Sequence, residues 1–198
     1  MYNFGVGATK SIVVSGTTRQ VRIIGFNHDD AVDTAAGDKI GITFQFTAVL
    51  PPNRRMHASN PTTWSATELR GTLNGATFLN TLPADLRAVI RPAVKLSNNR
   101  NQSPATPSNE TVWILCDREY RANAMHRINI SGGVIPLLTG EVYEFWTTNN
   151  ATMLAPNISI FTRTQSSDGV IGFDSRWPAE GVMQANNAAH GTVPVFGV

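Results

Sequence analysis

Charge is scarce in this chain. Asp, Glu, Lys and Arg make up 15% of its 198 residues, against roughly 25% in an ordinary globular domain. The sixteen basic and fourteen acidic residues leave a formal net charge of +2, and no basic run marks a nucleic-acid partner. Cysteine is nearly absent. The single Cys116 excludes an intrachain disulfide and a thiolate metal cage, and its place in the apolar run VWILC makes it a buried structural thiol. No apolar run approaches the ~20 residues of a membrane span, so no membrane insertion is expected. The opening MYNFGVGATK lacks the basic start and apolar stretch of a signal peptide; the expectation is a chain made in a cytoplasm and not exported by that route. The motifs G-x-S-x-G, H-E-x-x-H and the P-loop are missing. Four histidines, His28, His57, His126 and His190, are scattered. The reading is therefore non-enzymatic, with no catalytic residues and no cofactor.

What fills the space is neutral polarity, with 21 Thr and 17 Asn, residues that favour strands, turns and hydrogen-bonding surfaces over long salt-bridged helices. The length suits one domain, 1–198, burying roughly 70% of the surface of its unfolded chain. Residues 1–50 read as strands: KSIVVSG and TTRQVRIIGF form a hairpin about Gly16. KIGITFQFTAVL alternates, with Ile40, Ile42, Phe44 and Phe46 on one face and Gly41, Thr43 and Gln45 on the other, a half-buried strand. PPNRRMHASNP is a breaker segment.

Residues 64–91 carry two short helices. In WSATELRGTLNG, Ser65 and Glu68 form a capping box, Trp64 and Leu69 a hydrophobic staple, and Asn74-Gly75 the stop. In LPADLRAVI, Leu82, Leu86, Val89 and Ile90 form an apolar stripe. KLSNNRNQSPATPSNET reads as a surface loop of about fifteen residues. Residues 110–198 are strand- and loop-rich: VWILCDREY is a buried strand, and VYEFWTT, ISIFTRT, GVIGF and TVPVFGV are short strand candidates. Helices grouped in sequence among strands indicate an α+β, antiparallel β-rich layout with long loops in the second half.

Two regions compete as sites. In GFNHDDAVDTAAGDKIG, His28 is followed by Asp29, Asp30, Asp33 and Asp38. The spacing is not that of an EF-hand, and one histidine does not make a zinc site. A solvated connecting loop is the reading adopted, with calcium at Asp29, Asp30 and Asp33 as the alternative. Among the tryptophans, Trp64 and Trp113 lie in apolar patterns and read as core. Trp177, in FDSRWPAEG, sits amid loop residues beside Asp174 and Arg176. A flat apolar ring flanked by donors and an acceptor suits a protein or sugar contact. Asn149, Asn150, Asn186 and Asn187 add amides able both to donate and to accept. These seven residues, Asn149, Asn150, Asp174, Arg176, Trp177, Asn186 and Asn187, are the candidate binding face.

The order RIIGFNHDD, GITF, WSATELRGTLNG, LPADLRAVIRPAVK, VWILCDREY, FTRT and HGTVPVF spans nearly the whole chain. It resembles a family of C-type-lectin-like domains of unknown function found in bacteriophages and in surface proteins of gut bacteria. Trp64, Ser65, Glu68, Leu69, Arg70, Leu73 and Asn74 match that family's helix. Trp113 and Glu119 match its tryptophan-bearing strand, Phe161 and Arg163 a following motif, and Gly191, Pro194 and Phe196 its C-terminal one. The resemblance implies a single C-type-lectin-like domain whose second-half loops face the ligand. Glu-Pro-Asn and Trp-Asn-Asp triplets are lacking, so the calcium-dependent sugar site of animal lectins does not carry over. The function expected is a bacteriophage virion protein, homo-oligomeric, recognising a host-surface glycan or protein at a tail fibre or tip. The alternative is a capsid decoration or accessory protein contacting other virion subunits.

Overall fold

The computed structural model describes residues 4–32, 37–58, 63–99, 102–120, 141–149, 159–160, 163, 173–174 and 189–198. They build an α+β fold of mainly antiparallel sheets and short helices. Strands β1 (Thr9–Val14) and β2 (Thr17–Phe26) form the expected hairpin. Ser15 and Gly16 both take positive φ, 50° and 75°, as a tight two-residue turn between twisted strands requires. β3 (Ile42–Phe46) joins β2 and, across the sheet, meets β10 (Val195–Gly197), giving the order β1-β2-β3-β10.

β3 is not half-exposed. Phe44 and Phe46 pack on the Phe196 ring, while Thr43 and Gln45 on the opposite face are buried as well. The Gln45 amide donates to the Tyr120 hydroxyl (3.0 Å) and accepts from Trp146 Nε1 (3.2 Å). A strand covered on both faces can carry polar residues inside, provided each finds a partner.

β4 (Leu50–Arg55) occupies the expected breaker segment and pairs with β9 (Ala189–Thr192), its register shifting between Leu50 and Arg54. That irregularity covers Pro51 and Pro52, which have no N–H for the ladder. β7 (Ser159–Ile160) and β8 (Phe173–Asp174) complete the second sheet, with β7 parallel to β9.

The capping box does not form. Trp64–Ala66 is a single 3-10 turn, and Ser65 Oγ lies 2.8 Å from Thr63 Oγ1. α1 (Glu68–Asn74) starts two residues later, where Thr67 Oγ1 accepts from Arg70 N, and Glu68 pairs with Arg55 at 2.7 Å. Trp64 and Leu69 are both buried, as a staple would have them. Gly75 ends α1 at φ −82°, so no left-handed stop is made. Glycine is needed there because a Cβ would lie 2.8 Å from the Gly71 carbonyl oxygen. α2 (Ala76–Leu79) follows, then α3 (Ala84–Val89). Leu82 is buried, but Val89 is 54% exposed, so the predicted stripe is only partly covered.

The expected loop after Lys95 is instead a hairpin, β5 (Ala93–Asn99) with β6 (Gln102–Glu110). Its pattern is inverted. Lys95 and Ser97 are buried while Leu96 is 45% exposed, which is why no apolar alternation announced it. VWILC is buried as expected, but it forms no strand: it meets the first sheet through the Trp113–Val195 bridge and leads into α4 (Asp117–Tyr120). VYEFWTT is helical, α5 (Glu144–Thr148), with Phe145 and Trp146 buried.

Gly197 lies where a Cβ would press on Ile40 Cγ2 and sit 2.9 Å from its Cδ1. Gly197→Ala should therefore lower stability by about 1–3 kcal/mol through overpacking. In a denaturant double-mutant cycle, Ile40→Ala should offset part of that loss; additive effects would refute the clash.

Candidate functional site

The most chemically loaded place among the described residues is the interior beneath the acidic loop. Asp29 follows β2 and Lys95 lies on β5, Glu119 on α4, and Tyr143 just before α5. Lys95 Nζ is 2.7 Å from Asp29 Oδ1 and 2.5 Å from Glu119 Oε1. Arg163 Nη2 is 2.6 Å from Glu119 Oε2. The result is a chain of alternating charge, Asp29–Lys95–Glu119–Arg163, with all four side chains at 5% exposure or less.

Every remaining polar position is spoken for. Thr43 Oγ1 donates to Asp29 Oδ2 at 2.8 Å, and the Tyr143 hydroxyl reaches both Asp29 oxygens at 2.8 and 2.9 Å. Cys116 N donates to Glu119 Oε2 at 2.7 Å. Arg163 spends its other donors on the carbonyls of Ile114 (2.6 Å) and Leu96 (2.7 Å). His28 stacks on Tyr143, with ring centroids 3.8 Å apart, its Nδ1 3.3 Å from Asp29 Oδ1 and its Nε2 3.1 Å from the Glu141 carbonyl.

Proton affinities follow from burial set against these partners. Burial raises that of Asp29, but Lys95 and His28 outweigh it and hold the carboxyl well below the usual range. Burial likewise raises Glu119, and Arg163 with Lys95 pulls it below normal. For Lys95 burial works downward, yet Glu119 and Asp29 leave it above its ordinary value. The Cys116 thiol is pushed up to about 12 by burial and by Glu119, so it is inert as a nucleophile. The network borders a cleft of about 490 Å³ rimmed by His28, Asp30, Lys39, Arg118 and Glu141.

Asp29 is thus no solvated loop residue. The loop reading holds for Asp30, which is exposed and 2.6 Å from Lys39, and for Asp38, which pairs with Arg91 at 3.3 Å; Asp33 lies outside the described residues. Both Asp29 oxygens already face donors, and among the described residues no three His, Cys, Asp or Glu side chains form a group that could hold a metal ion.

Of the candidate binding face, Asn149 follows α5, where its Nδ2 donates to the Phe145 carbonyl (2.6 Å) and to Thr148 Oγ1. That is a local helix cap. Asp174 is the last residue of β8, in register with Ser159. Asn150, Arg176, Trp177, Asn186 and Asn187 lie outside the described residues.

A second buried carboxylate, Glu110, accepts from Trp64 Nε1 (3.2 Å), Arg70 Nε (2.7 Å) and Asn74 Nδ2 (2.9 Å). Three residues of the helix motif thereby converge on one oxygen pair. Sequence reasoning singled out Glu119 and Arg163 only as motif matches, and it missed Lys95 and Tyr143. The one signal for Lys95 was a lone ammonium in the apolar run PAVKL.

Arg163→Ala should cost about 3–5 kcal/mol in a denaturant melt, because it leaves two buried carboxylates, Asp29 and Glu119, with Lys95 alone to offset them, and Glu119→Leu added to it should recover much of that loss. Glu119 has a lowered folded pKa, so its contribution is present above its unfolded value near ~4.3 and is lost as pH falls through the lowered one. Glu119→Gln should therefore lose stability at neutral pH and show a flatter acid limb; an unchanged limb would exclude this residue as its source.

Compared with protein-family models, with curated proteins and with solved structures, the chain matches none.

Proposed function

We propose that the chain is a non-enzymatic recognition protein of a bacteriophage virion, a C-type-lectin-like domain that binds a host-surface glycan or protein. The observation carrying this reading is the closed charge chain Asp29–Lys95–Glu119–Arg163, which clamps the end of β2, strand β5, helix α4 and residue 163 into one frame. A rigid frame suits recognition because a preorganised surface loses less conformational entropy on binding. The stretch of sequence that follows α4 leaves this frame and contains Trp177, Arg176 and the paired asparagines. Broad motif resemblance and neutral polarity support the same assignment.

A specific feature favours the alternative, a decoration or accessory role against other virion subunits. Ile12, Val13, Phe44, Leu86, Val89 and Phe196 line an apolar groove of about 630 Å³ beside edge strand β1. Val13 is 53% and Val89 54% exposed there. An edge strand next to exposed apolar side chains suits a lateral subunit contact.

Adsorption of fluorescently labelled protein to a panel of bacteria, with and without EDTA, separates the two. Receptor recognition predicts saturable binding lost in Trp177→Ala and weakened in Arg176→Ala, and EDTA sensitivity would point to a bound cation. Binding to virions but not to cells, abolished by Val13→Glu with Val89→Glu, is the outcome the accessory role requires. Folded protein that binds cells equally well with both the Trp177 and Arg176 substitutions would overturn the assigned face.

A further inference from the structure

An amine, two carboxylates and a phenol held dry and in mutual contact are more than a structural tie. They are the reactants and the proton carrier of an amide condensation. We infer that Lys95 and Asp29 become joined by an intramolecular isopeptide bond, which the folded protein forms by itself with Glu119 carrying the proton.

The geometry supplies each requirement. Nucleophile and electrophile are in contact, Lys95 Nζ lying 2.7 Å from Asp29 Oδ1, and such positioning removes the entropy of bringing two groups together. The Asp29 carboxyl is polarised from the opposite side. Thr43 Oγ1 donates to Oδ2 at 2.8 Å, where negative charge develops as the carbon becomes tetrahedral, and the Tyr143 hydroxyl lies within reach of the same oxygen at 2.9 Å and of Oδ1 at 2.8 Å. Glu119 Oε1 stands 2.5 Å from the attacking nitrogen. Its other oxygen is held by Arg163 at 2.6 Å and by Cys116 N at 2.7 Å, which keeps it ionised and ready to accept a proton. The ammonium lies 5.3 Å from the Trp113 ring centroid and 5.4 Å from that of Tyr143, so aromatic rings flank the attacking nitrogen. Asp29, Lys95 and Glu119 also line the cleft, which gives the released water a way out.

The step balances without a co-reactant. A proton first passes from Lys95 Nζ to Asp29 Oδ1 along their hydrogen bond. Burial favours this neutral pair, but the neighbouring charges outweigh it in the resting protein, so the proton transfer is the uphill part of the step. The free amine then attacks Cγ, forming the N–C bond and placing the negative charge on Oδ2. Glu119 takes a proton from the nitrogen and delivers it to the Oδ1 hydroxyl. The Cγ–Oδ1 bond breaks, one water leaves, and the Cγ=Oδ2 double bond returns. Glu119 ends as it began, paired with Arg163. The bond would tie the end of β2 to β5 across 66 residues of chain, independently of what the protein binds.

Intact-mass spectrometry of the purified full chain tests this, alongside a thermal melt to establish folding. The expected result is a mass lower than that of the sequence by one water. Digestion should yield a branched peptide joining Asp29 to Lys95, with no tryptic cleavage after Lys95. Lys95→Arg, which keeps the cation but has no primary amine, should run at full mass. Thr43→Val, a milder change, should slow the loss of one water in freshly synthesised protein by about a hundredfold. Cooperatively folded wild-type protein at full mass after prolonged incubation would overturn the inference, as would a branch point at any other residue pair. A folded Glu119→Gln variant that still cross-links at the wild-type rate would remove Glu119 from its role.

Discussion

Lys95 is the side chain on which the described structure most depends. Its ammonium stands between Asp29 and Glu119, and without it two carboxylates would share a dry interior with only Arg163 to offset them. Transferring an ion from water to such a place costs several kcal/mol even after relaxation. The arrangement is tolerable because charges alternate, two of each sign, and because hydroxyls and backbone groups satisfy the remaining lone pairs and protons. A network of this kind adds little to stability over a well-packed apolar core of similar volume. What it adds is a demand for one geometry, since a half-satisfied version is far worse than none.

That demand explains features that otherwise look arbitrary. β5 turns its polar residues inward and Leu96 outward because Lys95 and Ser97 must reach partners inside. β3 buries Thr43 and Gln45 because one meets Asp29 and the other links Tyr120 to Trp146. The approach of Tyr143 to β2 makes Gly25 a tight position, where a Cβ would lie 3.2 Å from the ring. Glu110 repeats the logic on a smaller scale, tying α1 to the end of β6 through Arg70 and Asn74. The described strands and helices contribute to one apolar cluster running from Val14 to Phe196, and the polar hubs set where elements sit upon it.

Much of the local organisation was legible in the residues. The β1–β2 hairpin, the strand at Ile42–Phe46, the helix ending near Asn74 and the burial of Trp64, Trp113 and Cys116 all followed from period, turn chemistry and apolar runs. Two of the differences share a cause. From the sequence β5–β6 reads as a loop and Asp29 as a solvated residue, because periodicity arguments assume that polar side chains face water. α5 was taken for a strand because VYEFWTT is rich in β-favouring residues, a preference that packing overrides when Tyr143, Phe145 and Trp146 are all to be buried. The helix cap moved from Ser65 to Thr67 because Ser65 pairs with Thr63 instead.

By itself the sequence determined the class of molecule: a β-rich chain with short helices, low in charge and without a disulfide framework. Composition and local pattern suffice for that, because hydrophobic burial and turn geometry act over a few residues. Only the tertiary structure decided which of the few charges would meet. Asp29, Lys95, Glu119 and Arg163 span more than a hundred positions in sequence yet stand within hydrogen-bond distance of one another in turn. Nothing local selects such partners. They are brought together by the pairing of strands and the closing of helices over the core, and the low dielectric of that interior makes their pairing obligatory.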